Sequence, residues 1–406
     1  MIYDAVIIGG GPAGLMTAVQ LEKEDVKNYI LLEKNPEVGK KLLITGGKRC
    51  NVTNNLSVDD FINNLTIKNG KFLYPALYTF GPDQVIDYFK ENGLELVLEN
   101  NFKYFPITNK SKSILDRLLI NMDSTKIHYN VAIKGINKLE SVFHIKTKKG
   151  LIKSKNVIVA TGSKSFPSTG SNGYGLEIAK QFNIDYTAFS PAETHVYSSY
   201  VTNKLSDLQG TSIQNTTVKI KDTSITNTGD LLFTHFGLSG PAIYHLSEFI
   251  YEEGIKHRVV LQFSLTNKSE QEVSKLLEES SIFVLKQLEQ MVSKRLARKI
   301  LSLLNIENRK LSEISKKTIQ TIIDKIVRFE VNVVRVEDKE KSYVNKGGIL
   351  INELKPSTME TKKEKGLYFI GETVNIHGPI GGYNITIAFA TGTLAALNIS
   401  EELQKK

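Results

Sequence analysis

Asp4-Ala5-Val6-Ile7-Ile8-Gly9-Gly10-Gly11-Pro12-Ala13-Gly14 is the stretch that decides the fold. Ala5–Ile8 is a short apolar run of the kind shown by a strand buried on both faces of a parallel sheet. Glycines follow at once, and Leu15–Glu24 then places apolar residues at helical spacing. A second strand, Asn28–Glu33, completes a βαβ unit. The pattern Gly9-x-Gly11-x-x-Gly14 is weak by itself and gains meaning from its place between strand and helix. Gly9 allows a tight turn, Gly11 lets the backbone approach a pyrophosphate, and Gly14 lets the helix pack close to the sheet. Pro12 and Ala13 open a helix whose unpaired N–H groups and positive dipole end face the phosphates. Glu33 ends the second strand, 19 residues after Gly14. Its carboxylate can accept from both ribose hydroxyls and would repel a 2′-phosphate, so a non-phosphorylated adenosine dinucleotide is expected.

The far end of the chain separates FAD from NAD. Gly366–Glu372 (GLYFIGE) is a strand signal ending in Gly371 and an acidic residue, close in pattern to a second flavin fingerprint in which a carboxylate meets the ribityl chain or the pyrophosphate. Gly378-Pro379-Ile380-Gly381-Gly382-Tyr383-Asn384 follows, and then a helix of small residues, Tyr383–Leu397. The start of that helix suits the N1–C2=O edge of an isoalloxazine, where negative charge develops on reduction. An NAD dehydrogenase has no need of such a C-terminal return. Another buried strand, Asn156–Ala160, runs into Thr161-Gly162.

Composition sets the outer limits. The chain has 406 residues, 41% hydrophobic and 23% charged, which is ordinary for a globular protein and more than one core usually serves. No apolar run approaches the roughly 20 residues that span a bilayer. The N-terminus runs straight into a strand without a targeting pattern, so a cytoplasmic protein without membrane association is expected. Cys50 is the only cysteine. That excludes an internal redox dithiol and a cysteine metal cluster, and no metal is expected. The net charge of +9 is unevenly placed: Lys286–Arg328 holds 11 Lys/Arg against 4 Asp/Glu, a net +7. Such a stretch serves an anionic partner or forms the solvated face of helices.

Two textures separate the nucleotide-binding segments. Residues 189–270 alternate as strands do, with Thr216–Lys221 and Arg258–Phe263 as examples. Residues 271–342 are read as helical, rich in Leu, Ile, Lys and Glu. The expected organisation is a discontinuous FAD-binding domain, 1–188 and 343–406, interrupted by a β part and a helical part. Gly170-Ser171-Asn172-Gly173-Tyr174-Gly175 is not a second dinucleotide loop, because its glycine order is reversed and no strand immediately precedes it.

Gly39–Asn54 (GKKLLITGGKRCNVTN) resembles the signature of the bacterial HI0933-like flavoproteins, a group that includes aminoacetone oxidase and BaiN-like flavin reductases. Ala160–Gly170, Leu232–Pro241 and Gly381-Gly382-Tyr383-Asn384 agree with it in order along the chain. The resemblance implies an α/β fold, with a glutathione-reductase-like Rossmann-type FAD-binding domain interrupted by a β-barrel piece and a helical piece. It implies contacts from Ala13 to the pyrophosphate, from Glu33 and Lys34 to the adenosine ribose, and from Val131 to the adenine. Lys40, Lys41 and Gly46, Gly47, Arg49 and Asn51 run beside phosphates and flavin. Thr161, Gly162, Glu372 and Gly381, Gly382, Tyr383, Asn384 and Ile385 close the site. Two positions depart from the family: Lys48 where glycine is usual, and Ile380 where threonine is common.

Hydride transfer to or from flavin N5 asks the protein for orientation and charge. Arg49, in the cationic loop, is a candidate for stabilising the reduced flavin. His377 and His235 lie in glycine-containing, loop-like settings and are candidates for proton transfer and for lining a substrate pocket. The leading expectation is an oxidoreductase acting on a small molecule, with amine or aminoketone oxidation as the specific guess. The alternatives are an NAD(P)H-dependent reductase of activated double bonds, with NAD(P)H as a transient reductant, an RNA-binding or RNA-modifying flavoprotein, ranked lower, and a purely structural FAD.

Overall fold

A computed structural model describes residues 1–65, 70–100, 102–254, 257–278 and 281–405. It divides into two compact units: a nucleotide-binding unit, Met1–Ser190 with Lys339–Lys406, and an inserted unit, Pro191–Asp338. Each has its own hydrophobic core.

The nucleotide-binding unit is organised by the strand Ile2–Ile8, which lies between Tyr29–Leu32 and Gly150–Val159, parallel to both. Ile127–His128 extends the sheet beyond Tyr29–Leu32. The strand Gly150–Val159 is long enough to hold two partners on its other side. Its first half pairs antiparallel with Val142–Thr147, while Val157–Val159 pairs parallel with Leu367–Phe369. The C-terminal segment therefore enters the sheet beside the strand that leads into Thr161-Gly162. All four side chains of Tyr29–Leu32 and of Ala5–Ile8 are buried, as their apolar runs require.

Two helices from opposite ends of the chain pack together over this sheet. Pro12–Lys23 meets Tyr383–Gln404 where Thr17 Oγ1 donates to Gly392 O (3.2 Å). A Cβ on Gly392 would stand 2.5 Å from Ala13 O, so only glycine permits this crossing. The last helix is longer than the small-residue pattern suggests, continuing through Ile399-Ser400-Glu401 to Gln404.

In the inserted unit one seven-stranded sheet runs in the order Phe329–Asn332, Val260–Phe263, Ser212–Ile220, Thr226–Phe233, Gly237–Ser239, Val196–Tyr197, Arg335–Val336. The two outermost strands are neighbours in sequence, separated by Val333 and Val334 alone. Val333 N–H donates to Val259 O and Val334 N–H to Tyr197 O, so this short link ties the two ends of the sheet together, as in a barrel. The expected boundary between β and helical parts is thereby crossed: Phe329–Val336, which lies in the stretch read as helical, supplies two strands. Helices Glu270–Leu277, Val284–Leu288, Lys294–Leu304 and Lys316–Val327 share the sheet's core through Val273, Leu288, Ile300 and Ile322. No helix among the described residues is long and apolar enough to cross a membrane.

Candidate dinucleotide and flavin site

The loop Gly9–Gly14 has the backbone that its glycines allow. Gly9 has φ +110°, and a Cβ on Gly14 would lie 2.0 Å from Gly9 O, so Gly14 seats the helix directly on the turn. Gly11 differs: a Cβ there meets nothing within 4 Å. No side chain caps the helix that begins at Pro12. Open space in front of uncapped N–H groups is what a pyrophosphate needs.

Glu33 is buried. Its Oε2 accepts from Gly10 N–H (2.9 Å) and its Oε1 from Asn35 N–H (2.8 Å). The carboxylate is fixed by the glycine loop and keeps a second lone pair on each oxygen for a further donor. Val131 N–H donates to Glu33 O (2.9 Å), which brings Val131 beside Glu33. Lys34 lays its aliphatic chain against Gly170, and Asn35 Nδ2 donates to Thr169 O (3.1 Å). The start of the glycine-rich segment 170–175 thus packs beside Lys34 and Asn35.

Glu372 links three parts of the chain. Lys41 Nζ reaches its Oε2 at 2.6 Å and Ser163 Oγ donates to the same oxygen at 2.9 Å. Gly371 has φ +58°, and its added Cβ would come within 2.9 Å of Ala13 Cβ. The end of the C-terminal strand is therefore pressed against the head of the first helix. Gly162 N–H donates to Thr373 Oγ1 (3.0 Å) on the other side. Lys40 starts the short helix Lys40–Ile44 and is partly exposed.

The loop Gly46–Asn51 is unusually constrained. Gly46, Gly47, Lys48 and Cys50 all have positive φ, at 53°, 65°, 71° and 62°. For Lys48 and Cys50 this conformation costs on the order of 1–3 kcal/mol each, and such clusters gather at functional sites. The left-handed Lys48 also explains why glycine suits that position. Asn51, through its side-chain amide, donates to Thr53 O (2.9 Å) and accepts from Gly382 N–H (3.1 Å). Asn54 Nδ2 donates to Gly381 O (3.0 Å), and Thr386 Oγ1 donates to Thr53 Oγ1 (2.9 Å). A Cβ on Gly382 would sit 2.4 Å from the carbonyl carbon of Thr53. Two motifs more than 300 residues apart are interlocked, and the head of the last helix is held in place by them. Asn384 completes the turn: its Oδ1 accepts from Gly378 N–H (2.9 Å) and its Nδ2 donates to Gly378 O (2.8 Å). Ile385 follows in the helix, half-buried.

Several side chains have structural tasks that the sequence did not reveal. Arg49 donates to Asn109 Oδ1 through Nε (2.8 Å), pairs with Glu99 and stacks over Phe105 at 4.3 Å. The Tyr383 ring packs on Phe61 (centroids 4.6 Å apart) and Phe102, so the residue offers the site its main-chain N–H. Cys50 is fully buried, and burial pushes its thiol up to about 12, leaving it protonated and inert at neutral pH. His377 is buried in the loop before Gly378. His235 belongs to the inserted unit, where it is exposed and stands edge-on to Phe236 at 4.9 Å. Thr161 Oγ1 is buried without a hydrogen-bond partner among the described residues. Thr53, Asn54, Ser163 and Thr373 were not singled out from the sequence, although the first three lie inside motifs that were.

An uncapped helix head with open space at Gly11, a buried carboxylate beside it and a C-terminal helix anchored to the same unit are the arrangement of a Rossmann-type FAD-dependent oxidoreductase. The chain belongs to the HI0933-like protein Rossmann-domain family, whose description fits residues 3–398. It is 28% identical over 407 residues to a ribosomal RNA dihydrouridine synthase of Haemophilus influenzae and 26% identical over 409 residues to one of Escherichia coli. Each match spans 98% of this chain and 98% of the relative. A 3-dehydro-bile acid delta(4,6)-reductase of Clostridium scindens is 25% identical over 413 residues, 97% of this chain and 98% of that protein. Among solved structures, a flavocytochrome c3 fumarate reductase shares the fold, with a TM-score of 0.53 over 98% of this chain and 78% of that one, at 14% identity.

Proposed function

We propose that this enzyme reduces a carbon–carbon double bond conjugated to a carbonyl, with uracil in ribosomal RNA as the substrate. The observation that carries the reading is that full-length relatives with different names share one chemistry. Dihydrouridine differs from uridine by saturation of the C5–C6 bond next to the C4 carbonyl, and a bile acid delta(4,6)-reductase saturates a bond conjugated to a ketone. Amine or aminoketone oxidation finds no support among these relatives. The net positive stretch Lys286–Arg328 adds weight to an RNA substrate over a steroid.

FAD, when bound, would supply hydride chemistry at its N5. The balance is NAD(P)H plus a proton plus the conjugated alkene, giving NAD(P)⁺ and the saturated product, with the hydride at the β-carbon and the proton at the α-carbon. The chain's contribution is to hold and polarise. Gly11 and the head of the first helix would receive the pyrophosphate, Glu33 the ribose, and Glu372 a sugar-chain hydroxyl. The uncapped N–H groups of Tyr383, Asn384 and Ile385 would stabilise negative charge that grows on reduction. Asn51, Asn54 and Thr53 keep those groups in place.

The test is anaerobic. Holoenzyme mixed with NADPH or NADH is expected to bleach, and addition of a uridine-containing ribosomal RNA fragment is expected to restore colour while the RNA gains two hydrogens by mass spectrometry. A reduced enzyme that recolours with a steroid dienone and never with RNA would assign the substrate to the bile-acid class instead. One that recolours with neither would reject the reading.

A further inference from the structure

The proposed reduction needs a proton at the α-carbon, and several groups that could carry one are ill suited to give it. Burial pushes the thiol of Cys50 and the phenol of Tyr383 up to about 12. His235 is exposed and has no hydrogen bond or ion pair among the described residues, so nothing fixes its ring. His377 is buried. His195 has its Nε2 buried, 3.3 Å from Glu337 Oε2.

His245 is held differently. It closes the short helix Pro241–Tyr244, and its Nδ1 lies 2.7 Å from Glu193 Oε1. Glu193 is only 4% exposed, whereas 27% of the His245 side chain is open to solvent. An ionised carboxylate only accepts, so Nδ1 carries the hydrogen and Nε2 is left as the working nitrogen. No side chain or carbonyl among the described residues bonds to that Nε2. A buried carboxylate that fixes one imidazole nitrogen and leaves the other open is the arrangement of an acid–base dyad.

The segment that carries Glu193 is costly to keep. Glu193 has φ +49°, a left-handed backbone that a glutamate rarely adopts. Thr194 is fully buried, and its Oγ1 has no hydrogen-bond partner among the described residues. Its N–H donates to Ser247 Oγ (3.1 Å), which donates in turn to Tyr244 O (2.8 Å). Those two bonds tie the segment to the turn that bears His245. Backbone strain and an unsatisfied polar atom on adjacent residues persist where a fixed geometry serves a task.

Resting on the reading of conjugated-alkene reduction, we propose that His245 is the acid that supplies the α-carbon proton, with Glu193 as its positioning residue. As hydride reaches the β-carbon, the N–H bond at Nε2 of the imidazolium breaks and a C–H bond forms at the α-carbon. The neutral imidazole regains its proton from water. Glu193 keeps the ring from turning, so that Nε2 and not Nδ1 meets the substrate.

The experiment separates the two half-reactions and adds a chemical probe, all on full-length holoenzyme. In H245Q, bleaching by NADPH or NADH is expected to match wild type. Recolouring by the ribosomal RNA fragment or by a steroid dienone is expected to slow by about 100-fold or more. E193Q is expected to slow recolouring by a smaller factor and to leave bleaching and FAD content unchanged, a split that a merely structural role would not give. Diethyl pyrocarbonate followed by peptide mass mapping is expected to modify His245 well before His195 and His377. Equal recolouring rates in H245Q and wild type would overturn the acid and leave the reduction reading standing. Wild type that recolours with neither compound would sink the reduction reading and the acid with it. A His245 that the reagent leaves unmodified would overturn the dyad whatever the substrate, because its second nitrogen is then not open.

Discussion

Gly11→Ala is expected to leave the apoprotein as stable as wild type while weakening FAD binding at least tenfold, about 1.4 kcal/mol. The backbone there has φ −82° and ψ −178°, which alanine adopts freely, and the new methyl meets no protein atom within 4 Å. What it would meet is the pyrophosphate. Gly14→Ala makes the contrast. Its methyl would lie 2.0 Å from Gly9 O, so helix and turn must part, at a cost of about 1–3 kcal/mol to the apoprotein itself. Thermal unfolding with and without added FAD separates the two, because a ligand raises Tm only as far as it binds the native state. A Gly11→Ala protein that keeps the wild-type FAD-dependent rise in Tm would mean that no phosphate passes Gly11.

The second large effect is expected at Glu372. Glu372→Ala removes the acceptor of both Lys41 Nζ and Ser163 Oγ and leaves a cation with about a fifth of its side chain exposed and no counter-charge. Loss of a charged hydrogen bond of this kind costs about 1.5–3 kcal/mol. It is expected to cost FAD affinity as well, because the pair fixes the segment that presses on Ala13. Lys41→Ala combined with Glu372→Ala is expected to lose little more stability than Glu372→Ala alone, as a double-mutant cycle by urea unfolding would read. Additive losses would show that the two side chains act independently.

The parts of the site that were legible in the sequence are those encoded by local backbone demands. Gly9, Gly11 and Gly14 work at spacings of two and three residues, and Glu33 ends the adjoining strand, so the pattern is contained in one βαβ unit. The C-terminal return was legible for the same reason, through Gly371-Glu372 and the glycine turn into the last helix. What stayed hidden depends on partners distant in sequence. Asn54 and Gly381 meet through an amide and a carbonyl, and nothing near either residue announces the other. Arg49 reads as a free cation because Glu99 and Phe105, which hold it, lie some 50 residues away. The ring of Tyr383 is taken up by Phe61 and Phe102, neither of them its neighbour in sequence. In the inserted unit, Phe329–Asn332 and Arg335–Val336 are too short to declare a period. They are strands because the open edges of the sheet needed partners.

The most direct test of the central claim is the visible spectrum of the purified protein, followed by denaturation and identification of whatever is released. The two-banded absorption of oxidised flavin, with intact FAD in the supernatant, is the predicted result. A colourless protein that also fails to take up added FAD would contradict the account, leaving the interlocked Asn51–Asn54 and Gly381–Asn384 segments as a purely structural lock.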